Sequence, residues 1–308
     1  MTLHELFDRV KDYRVLLVGD SIRDEYQYVT VLGKASKENL IATRAERLEM
    51  FEGGVHAAAA HVRNFCRDVA RFSGSAQMVK RRFVDEVYMR KLFEVQWLEP
   101  LQPGACPDID GFDLVIVTDF GHGCITRPLI ERLTREARFL AVNAQSNAAN
   151  YGFNLITKYP RADFVVIDEP EARLAVGEAT APINEVITKL GLSNIIVTHG
   201  VYGSIGYDGT AFCHAPAYTQ AVLDTMGAGD AFFCITALLA AAGVPMRDLV
   251  HIGNAAGAAK VGIIGHRRSV TLEDLERVIG IRPSDQSRQA RVPVRERGQR
   301  RECVPSCE

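Results

Sequence analysis

An α/β fold built on a largely parallel sheet is predicted by three observations. Five short apolar runs, YRVLLVG (13–19), DLVIVTDF (113–120), RFLAVNA (138–144), DFVVIDE (163–169) and NIIVTHG (194–200), carry almost no polar alternation. That is the signature of strands covered on both faces. Helical segments near 126–137, 169–176 and 182–191 separate the later runs, and strand–helix alternation favours parallel pairing. After a hairpin, SIGYDGTAFCHA around Asp208-Gly209, the chain turns helical from about 227 to 264 and breaks at GVPM, where glycine and proline force a boundary.

The remaining elements follow in chain order. Thr2 and Glu5 stand three apart, as in a capping box, and open a short helix. Residues 25–51 alternate polar and apolar around GKASKE, which suggests half-exposed strands projecting from the body as a β lid. GGVHAAAAHVRNFCRDVA reads as a helix that starts after a glycine pair, runs from 55 to about 70 and leads almost directly into SGSAQMVKRRF. That predicts a shortened sheet. From Ile281 the chain is rich in Arg, Ser, Gln and Pro without apolar period. Two readings stand for this tail: disorder, or an anion-binding arm. One domain over 1–280 and a tail over 281–308 are therefore expected.

Composition narrows the function classes. The chain has 308 residues, 47% apolar and 24% charged, with a formal net charge of −2. Nothing in that balance calls for nucleic acid or an anionic membrane as a partner. The N-terminal MTLHELFDRVKDYR is an amphipathic charged stretch rather than a signal peptide. Seven cysteines without framework spacing are expected to be reduced thiols. Cys303 and Cys307 are read as free tail thiols, a shared metal being the alternative. Cytoplasmic residence is the expectation.

The chemistry concentrates in LDTMGAGDAFF (223–233). Its glycines permit a tight turn whose N–H groups point one way, and the apolar run behind them begins a helix. A helix N-terminus attracts an anion. A carboxylate there, Asp230, would repel a bound phosphate unless it accepts a proton. Phosphoryl transfer needs that pairing of anion cradle and base. The bland alternative is an acidic turn capping a core helix. The stretch lacks the Lys-Ser/Thr of a P-loop.

At these residues the chain resembles the ribokinase-like (PfkB) carbohydrate kinases, from about Tyr13 to Gly280. VKRRFVDEVYMRKLFEV and VTDFGHGCIT are similar to the bacterial heptose-7-phosphate kinase branch. The resemblance implies a three-layer sandwich with a small β lid, and ATP-dependent phosphorylation of a sugar or sugar-phosphate hydroxyl. It makes Asp230 the base and the Gly227, Ala228 and Gly229 amides the anion hole. Asp20 and Asp24 in VGDSIRDEYQY would reach sugar hydroxyls, and Gly53 and Gly54 match the glycine-pair motif. VVIDEPEARLA places Glu171, with Asp168, at Mg²⁺. Thr198, Gly200 and Gly203 match nucleotide-contacting positions, as do Asn254 and Ala258 in HIGNAAGAAKVGIIG. Asp224, with carbonyls near Gly265, corresponds to the monovalent-cation loop and so to K⁺. Two lids packed by apolar outer faces would make a homodimer.

The sequence departs from the family pattern where Ala57 replaces an asparagine after the glycine pair, and where Asp168 replaces another. Further candidates come from the residues themselves. Lys80 and Arg82 share one face of a strand and would clamp a sugar phosphate; a solvated edge strand explains them equally. Asn143, Gln145 and Asn147 sit at a strand's C-terminal end, where open α/β sheets bind ligands; turn stabilisation is the alternative. His122 either touches a substrate phosphate or satisfies backbone, and His199 caps a turn. A nucleoside kinase of the same fold and a catalytically silent binding relative are the rival functions.

Overall fold

The computed structural model describes residues 1–74, 78–97, 107–218 and 221–280. Its frame is an eight-stranded sheet. β1 (Arg14–Gly19) lies near one edge, flanked in parallel by β4 (Asp68–Phe72) and β7 (Leu114–Asp119). β8 (Leu140–Ala144), β9 (Phe164–Asp168) and β10 (Ile195–Thr198) continue in parallel, and β11 (Ser204–Tyr207) and β12 (Phe212–Ala215) close the far edge as an antiparallel hairpin. The hairpin turns where expected: Asp208 Oδ1 accepts the Thr210 and Ala211 N–H groups. All six residues of β7 and all five of β8 are buried, as continuous apolar runs require.

Helices cover both faces, giving three layers. One core packs the sheet against α1 (Leu3–Asp8), α2 (Val55–Arg63), α6 (Ala228–Ala241), α7 (Met246–Val261) and α8 (Leu272–Gly280). The other packs it against α3 (Arg127–Glu136), α4 (Glu169–Val176) and α5 (Ile183–Leu190). The capping box of α1 is formed: Thr2 Oγ1 accepts from Glu5 N–H and Glu5 returns the bond to Thr2 N–H. α6 is apolar all round because α2 and α7 enclose it, the condition under which an amphipathic stripe is lost.

A second sheet projects as the lid, in the order β3 (Ile41–Gly54), β2 (Ser21–Lys34), β5 (Met78–Asp85), β6 (Arg90–Trp97). It is larger than the 25–51 expectation: β2 also pairs in parallel with β5, from Ile22↔Met78 to Val29↔Asp85. The helix expected over 55 to about 70 is corrected too. α2 stops at Arg63, and 68–72 forms β4 beside β1, Arg14↔Asp68 through Val18↔Phe72. The sheet therefore keeps an edge strand that the helical reading had removed. The tail from 281, with Cys303 and Cys307, lies outside the described residues. The four described cysteines, at 66, 124, 213 and 234, are free thiols. Among the described residues no helix is long and apolar enough to cross a membrane.

Candidate active site

The site forms where α6 begins, beyond the carboxyl ends of β8, β9 and β10. Gly227 enters α6 with φ +73°, a left-handed conformation that favours glycine. No side chain caps the helix; Ala228 N–H reaches the Thr225 carbonyl at 3.4 Å, so the amides of this turn have no side-chain acceptor competing with an anion before them. Asp230 sits in that first turn, buried. Burial raises its carboxyl above the ordinary range, and His266, Gln145 and Lys260 pull against that shift. Gln145 Nε2 donates to Asp230 Oδ1 at 2.8 Å, which fixes the carboxylate's orientation.

A cavity of about 850 Å³ opens in front of these groups. Its walls include Gly227, Gly229, Asp230, Asn143, Gln145, Asp168, Glu171, Thr198 and Gly200. A narrower slot of about 280 Å³ shares Thr198, Gly200 and Gly229 with it and runs between Gly203, Ala228, Asn254 and Ala258. The structure thus gathers every predicted nucleotide-contacting position around one slot. Asn254 acts there as a wall, because its side-chain amide donates to the carbonyls of Ala215 and Pro216.

Asp168 and Glu171 form a reciprocal cap on α4. Asp168 Oδ1 accepts Glu171 N–H, and Glu171 accepts the N–H groups of Asp168 and Ser146. Burial and then the Asp168 charge push the Glu171 carboxyl well above the usual range. Asp168 is exposed to the cavity. Asn143 donates to Val166 carbonyl while its Oδ1, buried, has no partner. Hard oxygens on one wall with an unfilled acceptor among them fit a hydrated Mg²⁺, which keeps several waters and needs one or two carboxylates.

The acceptor side lies under the lid. Across the strands, Asp24, Tyr26, Lys80, Arg82 and Glu94 alternate onto one face. Arg82 donates to Asp24 Oδ1 at 2.5 Å and pairs with Glu94 at 2.7 Å. Asp24 lies 3.6 Å from His266 Nε2. Burial would raise the Asp24 carboxyl, but His266 and Arg82 outweigh it and hold it low. Lys80 is buried beside Asp24 and Glu94, so the solvated-edge reading of this pair does not hold. His122 joins them: burial and then Lys80 lower its ring to about 4, and its Nε2 has no partner.

Several predicted contacts turn out to be structural. Asp20 is fully buried and accepts the N–H groups of Phe120, His122 and Cys124, so it holds the 120–124 loop instead of facing a sugar. Gly53 and Gly54 let β2 and β3 approach. A Cβ on Gly53 would meet Asp24 Oδ2 at 2.0 Å, and one on Gly54 the Asp20 carbonyl at 2.3 Å. Asn147 donates to Phe120 carbonyl and braces the same loop. His199 is not a bare turn cap: its Nε2 pairs with Glu169.

Asp224 is also committed. Its Oδ1 accepts from Lys91 Nζ and Met226 N–H, its Oδ2 from Tyr26 hydroxyl and Gly265 N–H. Burial would raise this carboxyl, yet those four donors bring it down to about 2. Both oxygens are saturated, so Asp224 does not offer a metal a ligand. Lys91, Tyr26, Lys260 and His266 were absent from the sequence reading. Their only signal was charge or hydroxyl at positions far apart in the chain.

A model of the pfkB family of carbohydrate kinases matches residues 110–271. The chain belongs to this family. Its similar curated relatives include bifunctional protein HldE of Nitrobacter hamburgensis, 28% identical over 65% of this chain and 44% of the relative. The protein of that name from Trichlorobacter lovleyi is 26% identical over 51% of this chain and 33% of the relative. The chain thus spans well under two thirds of these relatives' length. Among solved structures, ribokinase from Thermotoga maritima superposes with a TM-score of 0.64 at 18% identity, covering 87% of this chain and 99% of that one. Arabidopsis thaliana ribokinase complexed with ribose and ATP gives 0.65 at 14%, over 88% of this chain and all of that one. At such identities these structures establish the ribokinase-like fold.

Proposed function

We propose that this chain transfers the γ-phosphoryl group of ATP to a hydroxyl of a sugar phosphate, with Asp230 as the base. The observation that carries the reading is the placement of an oriented, buried carboxylate in the first turn of an uncapped helix, at the junction of a polar cavity and a narrow slot. The slot suits the adenosine portion, and the Gly227–Gly229 amides lie where triphosphate charge would fall. Asp230 takes the proton of the acceptor hydroxyl as its oxygen attacks phosphorus. The bond to the leaving ADP oxygen breaks in the same displacement, and the amides hold the charge spread over the phosphoryl oxygens. Asp168, Glu171 and Asn143 would hold Mg²⁺ through water; when bound, it neutralises triphosphate charge.

The acceptor is read as phosphorylated because a buried lysine and an arginine converge beneath the lid, with the neutral His122 ring beside the lysine. Free neutral sugars give such cations nothing to neutralise. Arg82 and Lys80 are at present balanced by Asp24 and Glu94, so an incoming phosphate would exchange one anionic partner for another. The lid's outer face carries exposed Leu48, Met50, Phe93, Val95 and Trp97. Register puts them on the side opposite Arg82. Two such faces would bury one another in a homodimer; gel filtration should then show a dimer for wild type and a monomer for Phe93→Glu, and a monomeric wild type would rule it out.

The first experiment is ADP release by the full chain with Mg²⁺-ATP against sugar phosphates, free sugars and nucleosides. Sugar-phosphate-dependent release that vanishes in Asp230→Asn supports the reading. Turnover with nucleosides alone would replace it with a nucleoside kinase, and nucleotide binding without turnover on any acceptor would overturn it.

A further inference from the structure

Where K⁺ is expected, at Asp224 and the carbonyls near Gly265, the structure holds a different cation. Lys260, on the last turn of α7, is fully buried. Its Nζ lies 2.7 Å from Met226 carbonyl, 2.7 Å from Gly265 carbonyl and 3.4 Å from Ile263 carbonyl. These carbonyls belong to the two segments that Asp224 ties together through Met226 N–H and Gly265 N–H. Three carbonyl oxygens converging on one point form a cage for a small cation. An ammonium has three N–H donors and a neutral amine only two, so this geometry calls for the charged form. The lysine stem also runs beneath the anion loop: a Cβ on Gly227 would stand 3.3 Å from Lys260 Cε. A free monovalent ion and this ammonium cannot both occupy the cage.

We propose that Lys260 is a tethered monovalent cation: its ammonium fills the carbonyl cage behind the anion hole and makes this chain independent of K⁺. It is a positioning residue. Its charge gathers the Met226 and Gly265 carbonyls, and Met226 is followed directly by Gly227, so holding one fixes the amides of the other. Covalent attachment removes the need to capture an ion from solution. The lid shares in the arrangement, since Tyr26 and Lys91 reach Asp224 from β2 and the β6 strand.

The test compares KCl, LiCl and choline chloride at equal ionic strength, using the full-length wild type and Lys260→Met. Three quantities are read: thermal midpoint, Mg²⁺-ATP affinity, and turnover with the acceptor found above. For wild type all three are expected to agree within about twofold, or about 2 °C, across the salts. Lys260→Met in choline is expected to lose about tenfold or more in affinity and turnover, and KCl, but not LiCl, to restore most of it. Clear K⁺ stimulation of wild type overturns the inference. So does a Lys260→Met chain that behaves as wild type in choline, or one that K⁺ fails to restore. Lys260→Ala, which leaves more room for an ion, serves if the methionine variant does not fold; if neither folds, the wild-type salt comparison decides. The turnover arm rests on the kinase reading. Should no acceptor turn over in any salt, that reading fails by itself, and midpoint and affinity still decide the cation question.

Discussion

Replacing Asp230 by Asn should separate activity from stability in opposite directions. The side chain keeps its shape and its Oδ1 can still accept from Gln145 Nε2, but it can no longer take a proton. Loss of a positioned base costs about 10²–10⁴ in rate, so kcat should fall by at least about a hundredfold. Mg²⁺-ATP affinity should stay within about threefold, because the anion hole is backbone. Stability should rise. The buried Asp230 carboxyl titrates above its ordinary value. Its neutral form therefore contributes stability that is full below the unfolded value, about 3.9, and lost as pH rises through the folded one. Asparagine stays neutral and escapes that loss. Above the folded value the variant should gain about 1 kcal/mol, or about 2–4 °C in thermal midpoint, and the gain should shrink toward pH 4. Steady-state ADP release and thermal unfolding across pH measure both halves. A variant within tenfold of wild-type kcat, or one less stable at every pH, would refute the reasoning.

Three further outcomes are expected. Arg82→Ala, which removes a cation paired with Asp24 and Glu94, should raise KM for a sugar phosphate by about tenfold or more while KM for ATP holds; equal effects on both would count against a phosphate clamp. Asp20→Ala leaves three N–H groups without their acceptor and should cost about 1–3 kcal/mol. Burial raises Asp20 to about 6, so the wild type loses stability as pH climbs through that value, and urea midpoints should show a larger penalty near pH 4 than near pH 8. Mg²⁺-nucleotide binding should release protons at neutral pH, since a dication near Glu171 lowers a carboxyl that burial has raised; calorimetry in buffers of different ionisation enthalpy reads this, and Glu171→Ala should abolish the release.

The central strands were legible because each is a run too apolar to lie anywhere but between two layers, and each is followed by a helix. β4 was not. Asp68–Phe72 fits a helix as well as a strand, and only pairing with β1, more than fifty residues earlier, decides between them. The lid was half legible for the same reason: alternation showed β2 and β3, while β5 joins them only through parallel pairing.

At the site, a local motif could be read and a shared one could not. Gly227, Ala228, Gly229 and Asp230 are contiguous and open an apolar run, so the residues alone place them at a helix start, while Asp168 and Glu171 stood out through the family resemblance and also prove to cap a helix. Thr198, Gly200, Gly203, Asn254 and Ala258 line one slot because each stands near a strand end or on α7. The sequence by itself thus determined the α/β frame, the carboxylate at the mouth of α6 and the kinase family. Tertiary structure decided which acids are committed to holding the backbone of the fold. Asp20 and Asp224 look like Asp24 and Asp230 in sequence, but three N–H groups claim the first, and four donors from four segments claim the second. Whether a buried carboxylate braces a loop or meets a substrate depends on the donors that surround it, and those donors come from parts of the chain that only folding brings together.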